Sequence, residues 1–296
     1  MNSTIAAPAY PGNSTNVRSW ADRAAPWPVR AAFRAIGPFP ELAGAAAGRL
    51  FLTPPRPAVS PRAADVLAHG EPVRIPWRGS ALRAWSWGTG PAVLLVHGWG
   101  GYGGQLSSFV PALRMSGYRA VAFDGPAHGK SPGRRTSLVE FAEAIRQIAA
   151  AVGPLAGVVA HSFGGASTAI AMSRGLQAAR AVLISPPADP VMVTRRFAAA
   201  VGLPEPGRRA MQAWIERRVG VSFERLDVPT LAAGFSVPLR LVHDREDREI
   251  PWEEGSAIAA AWPGAELVTT RGLGHYRILH DSEVIHGAVQ FLEGEG

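Results

Sequence analysis

Short apolar runs alternate with amphipathic segments from residue 92 to the end of the chain, and this alternation narrows the possible folds more than any other feature. The stretches 92–96, 119–123, 158–160, 181–184, 239–242 and 266–269 read as strands. Between them, helical periodicity runs through 104–116, 137–152, 164–174, 253–262 and 282–293. Three of these strand runs, 92–96, 158–160 and 181–184, are apolar throughout and are expected to be buried on both faces. Strands joined through helices must run parallel, with the helices covering the sheet on both sides. Upstream, 73–77 and 81–87 flank Arg78-Gly79-Ser80 and read as an antiparallel hairpin.

The segment Ala160-His161-Ser162-Phe163-Gly164-Gly165 lies between one such strand and the small-residue start of the next helix. Small residues two before and two after a serine are what a very tight strand-to-helix turn requires, because bulky ones would collide with the neighbouring strand and helix. Such a turn lifts the Ser162 hydroxyl clear of the backbone. It also aims the N–H groups of the first helical turn at whatever the hydroxyl attacks.

Composition sets the outer limits. A chain of 296 residues can bury a large core. With 47% hydrophobic and 18% charged residues, a globular fold is expected. Cysteine is absent, which removes disulfides and thiolate metal sites and fits a cytoplasmic location. The net charge is +7, and Lys130 is the only lysine. The arginines are scattered in ones and twos, so a nucleic-acid partner is not expected. No stretch reaches the ~18 apolar residues of a membrane span. The first residues lack a basic and then apolar leader, so neither a secretory signal nor an integral membrane segment is expected.

Three parts can be distinguished along the chain. Residues 1–72 read as an N-terminal arm with a polar start, two short helices within 20–53 packed on the core, and a proline-rich linker at 53–57. Residues 73–189 and 236–296 carry the alternating pattern. The interval 190–235 interrupts it with arginine pairs among apolar residues and reads as a helical cap. Those arginines form either a solvated helix face or a site for an anionic part of a substrate.

In parallel sheets, ligands bind at the carboxyl ends of the strands. Ser162, Asp247 and His275 each follow an expected strand, in that chain order. Four stretches then match one known pattern, again in order. They are His97-Gly98-Trp99-Gly100-Gly101, the turn from Asp124 to Ser131, the Ser162 elbow, and the loops of Asp247 and His275. Over roughly 73–293 the chain resembles the α/β-hydrolase fold superfamily. The resemblance implies a three-layer α/β/α hydrolase fold with a mostly parallel sheet of about eight strands and a small helical cap.

It also implies a serine hydrolase, most simply a carboxylesterase acting on a small-molecule ester, with no metal or organic cofactor. Ser162 would attack, His275 would move the proton, and Asp247 would orient the imidazole. The backbone N–H groups of Trp99 and Phe163 would form the oxyanion hole, and Trp99, His161 and Phe163 would border the substrate. An elbow turns the His161 side chain away from the hydroxyl, so packing is its competing role. Pro251 fits the superfamily's acid loop, but Asp244 stands where glycine is usual, so Asp244 is a rival acid. Asp189, after the preceding strand, is another.

His97 is expected to brace the oxyanion turn and His128 to order the Asp124 turn. His243, His280 and His286 are expected to be supporting or surface residues. Thioester, lactone or carbon–carbon hydrolysis and acyl transfer use the same triad and stay open. So does a receptor with slow turnover, a different class of function. The oligomeric state is not legible.

Overall fold

The computed structural model describes residues 25–294. Three helices come first: α1 (Trp27–Ile36), α2 (Pro40–Phe51) and α3 (Pro61–Ala68). The hairpin of β1 (Glu71–Trp77) and β2 (Ser80–Trp87) follows. Next come β3 (Ala92–Val96), α4 (Phe109–Met115), β4 (Arg119–Phe123), α5 (Leu138–Val152), β5 (Leu155–His161), α6 (Phe163–Ser173) and β6 (Ala181–Ile184). The interval after β6 holds α7 (Pro190–Val201), α8 (Glu205–Val219) and α9 (Val228–Ala232). The chain then returns through β7 (Leu239–Asp244), α10 (Trp252–Ala261), β8 (Glu266–Thr270), α11 (Gly274–Arg277) and α12 (Ser282–Glu293).

The strands form one eight-stranded sheet in the order β1-β2-β4-β3-β5-β6-β7-β8. β1, β2 and β4 pair antiparallel, and every pairing from β4 to β8 is parallel. All five residues of β3 are buried. Leu94 and Val96 enter one core with α5 and α6, while Val93 and Leu95 enter another with α4 and α12. Helices thus cover both faces, in the three-layer α/β/α arrangement of the α/β-hydrolase fold.

Two elements differ from the periodicity. The pattern over 104–116 becomes helical only at Phe109, and 103–108 form turns. The Gly103 N–H donates to Asp124 Oδ1 at 2.7 Å instead of to a helical carbonyl. β5 starts at Leu155, three residues before the apolar run suggests. Gly157 falls inside it because α12 comes close: a Cβ there would lie 2.3 Å from Leu292 Cδ2. α3 was not visible as a separate helix in the sequence. Its start is set by Pro61 and by Ser60, whose Oγ accepts from Ala63 N–H at 3.3 Å.

α2 packs chiefly against α8 rather than against the sheet. Glycines make that contact possible. A Cβ at Gly44 would lie 2.6 Å from the Met211 backbone nitrogen, and one at Gly48 would lie 2.5 Å from Cε3 of Trp214. The first helices and the interval after β6 are therefore neighbours, joined at a backbone-to-backbone distance that larger residues would prevent.

Candidate active site

β5 ends at His161 and α6 begins at Phe163, so Ser162 alone makes the turn. Its backbone lies at φ +52° and ψ −125°, which is unfavourable for a residue with a Cβ. Hydrogen bonds on both sides hold it there. Ser162 N–H donates to Ile184 O at 2.9 Å, and Ser162 O accepts from Gly165 N–H at 2.8 Å. The small neighbours have a direct steric reason. A Cβ at Gly164 would lie 2.4 Å from His97 O, and one at Gly165 would lie 3.0 Å from Pro186 Cβ.

Ser162 Oγ lies 3.0 Å from His275 Nε2, and His275 Nδ1 lies 2.7 Å from Asp247 Oδ2. The three side chains come from the ends of β5, β7 and β8, and all are buried. Asp247 Oδ1 accepts from the N–H groups of Glu249 and Ile250 at 2.8 and 3.0 Å. Burial pushes the Asp247 carboxyl up. Hydrogen bonds from His243 and His275, together with the Ile250 N–H, outweigh it and hold the group well below the usual carboxylate range.

The rival acids have other partners. Asp244 Oδ2 accepts from Thr270 Oγ1 at 2.7 Å and from Leu273 N–H at 3.0 Å, which fixes the loop leading into His275. Asp189 caps α7, accepting from Val191 N–H at 2.7 Å. His243 is fully buried. Its Nε2 lies 3.0 Å from Ile250 O and 3.5 Å from Asp247 Oδ2. A carbonyl only accepts, so Nε2 carries the hydrogen.

Trp99 and Phe163 meet across the mouth of the elbow, with ring centroids 4.9 Å apart. Phe163 is the first residue of α6, so its N–H has no acceptor within the helix. The Trp99 turn is held by its neighbours. Gly98 N–H donates to Gln105 Oε1 at 2.7 Å, and Gly98 O accepts from Gly101 N–H at 3.0 Å. His97 donates from Nδ1 to Gly98 O at 2.8 Å and accepts at Nε2 from Gly125 N–H at 3.0 Å. This pairing requires a neutral ring, and burial pulls the His97 pKa down to about 4.

His128 packs against Trp99 and Phe163, with centroids 5.4 and 6.4 Å apart. His161 is directed away from the hydroxyl: its Nε2 donates to His275 O at 2.9 Å, and its ring lies 4.6 Å from that of His275. Burial, followed by the charge of His275, pushes the His161 pKa well below its ordinary value.

One support, Gln105, is not legible in the sequence. Gln105 looked like a helix residue, and only its reach back to Gly98 reveals its task. His243 was read as supporting or surface, and it is buried beside the acid four residues after it. In the interval after β6, Arg208 is buried and forks onto Glu205, with both contacts at 2.8 Å, and Arg196 pairs with Glu254. Among the described residues no group of three or more His, Cys, Asp or Glu is arranged to hold a metal ion, and no helix is long and apolar enough to cross a membrane.

This geometry coincides with a family match. Residues 93–287 match the model of the alpha/beta hydrolase family, and the chain belongs to that family. A 45-residue stretch, 15% of the chain, is 51% identical to a pimeloyl-[acyl-carrier protein] methyl ester esterase from Methylococcus capsulatus and covers 17% of it. A 112-residue stretch, 36% of the chain, is 34% identical to human serine hydrolase-like protein 2 and covers 35% of it. The chain thus matches less than half the length of these curated relatives. The crystal structure of a monoacylglycerol lipase from Paleococcus ferrophilus superposes with a TM-score of 0.58 at 22% identity, covering 73% of this chain and 99% of that one. At that identity the likeness is one of fold.

Proposed function

We propose that this protein is a serine hydrolase that cleaves small-molecule carboxylic esters through an acyl-enzyme on Ser162. The observation that carries the reading is the unbroken relay from Ser162 Oγ to His275 Nε2 at 3.0 Å and from His275 Nδ1 to Asp247 at 2.7 Å. An unassisted serine hydroxyl is a weak nucleophile at neutral pH, and the imidazole supplies the missing base. Asp247 fixes the tautomer that leaves Nε2 free to accept, and it stabilises the imidazolium formed when the proton moves.

Ser162 Oγ attacks the ester carbon, and the carbonyl oxygen gains charge between the Trp99 and Phe163 N–H groups. Loss of one such donor costs about 10²–10³ in rate in comparable sites. His275 then gives its proton to the departing alkoxide, leaving the acyl group on Ser162. Water attacks next, with His275 again as base, and the acid leaves. Ser162 and His275 retain only 9% and 7% of their exposure, which favours a slender substrate over a protein surface. The methyl ester esterase among the relatives supports an ester as the bond cleaved.

The test is hydrolysis of p-nitrophenyl esters of graded acyl length by the full chain. The expected result is a burst of about one nitrophenol per protein, followed by turnover, and neither in Ser162→Ala. Equal rates in the two proteins would remove the reading.

A further inference from the structure

The segment between α2 and α3 carries a feature that the triad does not use. Residues 52–60 cross the turn that bears Trp99, and they are fastened at three places. At one end, Leu52 O accepts from Thr136 N–H at 2.9 Å. At the other, Ser60 N–H donates to Tyr102 Oη at 3.2 Å, and Tyr102 lies in the same glycine-rich turn as Trp99. Between them, Arg56 donates from Nε to Ala127 O at 3.0 Å. Its Nη2 donates to Ser131 O at 3.0 Å and to Gly133 O at 2.7 Å.

One guanidinium therefore gathers three carbonyls of a loop with an unusual backbone. Ala127, Gly129 and Gly133 all have positive φ, at 64°, 47° and 100°. Such a backbone is costly for Ala127; inside the loop Ala127 N–H donates to Pro132 O and Lys130 N–H to Asp124 Oδ2, both at 2.8 Å, and Arg56 adds three bonds from outside. The same loop bears His128, whose ring packs against both Trp99 and Phe163. On the other side of the turn, Pro55 sits on Gly100. Gly100 has φ +68°, and a Cβ added to it would lie 2.8 Å from Pro55 Cγ. Gly100 directly follows Trp99, so its left-handed conformation sets the path of the chain as it leaves the Trp99 turn.

We propose that Arg56 is a positioning residue for the oxyanion turn: by tying the 52–60 strap to the 127–133 loop, it seats Pro55 on Gly100 and holds His128 beneath Trp99. This inference rests on the serine-hydrolase reading for its effect on rate, but the mechanical coupling stands apart from it. A planar fork that reaches three carbonyls is specific to arginine, since a lysine ammonium is a point donor on a flexible stem.

The test compares the full-length wild type with Arg56→Ala, Arg56→Lys and Pro55→Ala. Three quantities are read: ester kcat and KM, the rate of inactivation by a fluorophosphonate, and hydrogen exchange of peptides spanning 97–105. Arg56→Ala is expected to lower kcat and the inactivation rate about tenfold, with KM changed less than twofold, and to speed exchange in 97–105. Pro55→Ala should move the same quantities in the same direction by less, and Arg56→Lys should restore less than half of the loss.

Unchanged kcat with unchanged exchange in 97–105 would overturn the proposal. So would a loss that merely tracks the folded fraction measured by thermal unfolding, or full rescue by lysine. If the wild type itself is neither labelled nor active, the serine-hydrolase reading fails, and exchange alone decides the coupling: faster exchange in Arg56→Ala supports it and unchanged exchange overturns it.

Discussion

Two regions of this protein rely on glycine for close approach, and they do so for different ends. At the elbow, Gly164 and Gly165 leave room for a serine whose backbone sits at φ +52°. Where α2 meets α8, Gly44 and Gly48 let helices touch, with no strained residue between them. The steric demand is similar, with 2.4 Å from a Gly164 Cβ to His97 O and 2.6 Å from a Gly44 Cβ to Met211 N. What differs is the surroundings. The elbow is ringed by buried, hydrogen-bonded histidines and carboxylates, whereas the helix contact is largely apolar. A close-packed glycine alone is therefore evidence of packing. It becomes evidence of chemistry when strain and a polar relay converge on its neighbour.

The comparison yields predictions of decreasing size. Replacing Ser162 or His275 with alanine should lower the catalytic rate by about 10⁴-fold or more with little loss of thermal stability, as triad removal does elsewhere. Asp247→Asn should cost about 10⁴-fold by favouring the wrong tautomer. Steady-state kinetics on matched folded samples checks both. If Asp244→Asn proved the more damaging for rate, the assignment of the acid would be reversed.

Gly164→Ala should lower both activity and stability, because the added carbon meets a backbone carbonyl that cannot swing away. The expected loss is about 10²-fold in rate and about 1–3 kcal/mol in denaturant unfolding. Its counterpart is Gly44→Ala, whose effect is confined to stability.

Acid should strike the elbow region first. His97 has a folded pKa of about 4, below the ordinary histidine value near 6.5, because it is buried. Between those values the unfolded chain holds a proton that the folded chain does not, so the His97 contribution to stability falls as pH drops through that window and is fully lost below about 4. The His97 contribution alone is about 3 kcal/mol. His128 and His161, also lowered by burial, act with the same sign. Urea unfolding at several pH values between 7 and 4 measures the slope. A flat profile would show that these rings are not held neutral.

Gly44→Ala completes the comparison. It should cost about 1–3 kcal/mol by overpacking the α2–α8 contact, while the rate per folded molecule stays within a factor of two. Unfolding curves beside active-site titration separate the two effects. A large change in rate would mean that this contact shapes the catalytic centre after all.

Much of the core was legible because its signals are local. Uniformly apolar runs such as 92–96 and 181–184 have no solvent face and must lie inside a covered sheet. The small residues around Ser162 announce a tight turn. His275 and Asp247 could be picked because each follows a strand, but Asp244, at the end of β7 and three residues before Asp247, stayed a rival in the sequence, and its bonds to Thr270 and Leu273 appear only in three dimensions. Gln105 could not be placed, because Gly103 and Gly104 leave a helical pattern that the Asp124 side chain interrupts from 21 residues away. The contacts of Arg56 were equally hidden: they span 71 to 77 residues, and nothing in a proline-rich segment indicates where it is fastened.

The central claim is that Ser162 is an activated nucleophile, and covalent labelling tests it most directly. Native protein is treated with a fluorophosphonate and the modified peptide is identified by mass spectrometry, beside Ser162→Ala and His275→Ala. The account predicts one label per chain, on Ser162, absent from Ser162→Ala and strongly slowed in His275→Ala. Well-folded protein that takes no label, or that is labelled elsewhere with Ser162 untouched, would contradict it.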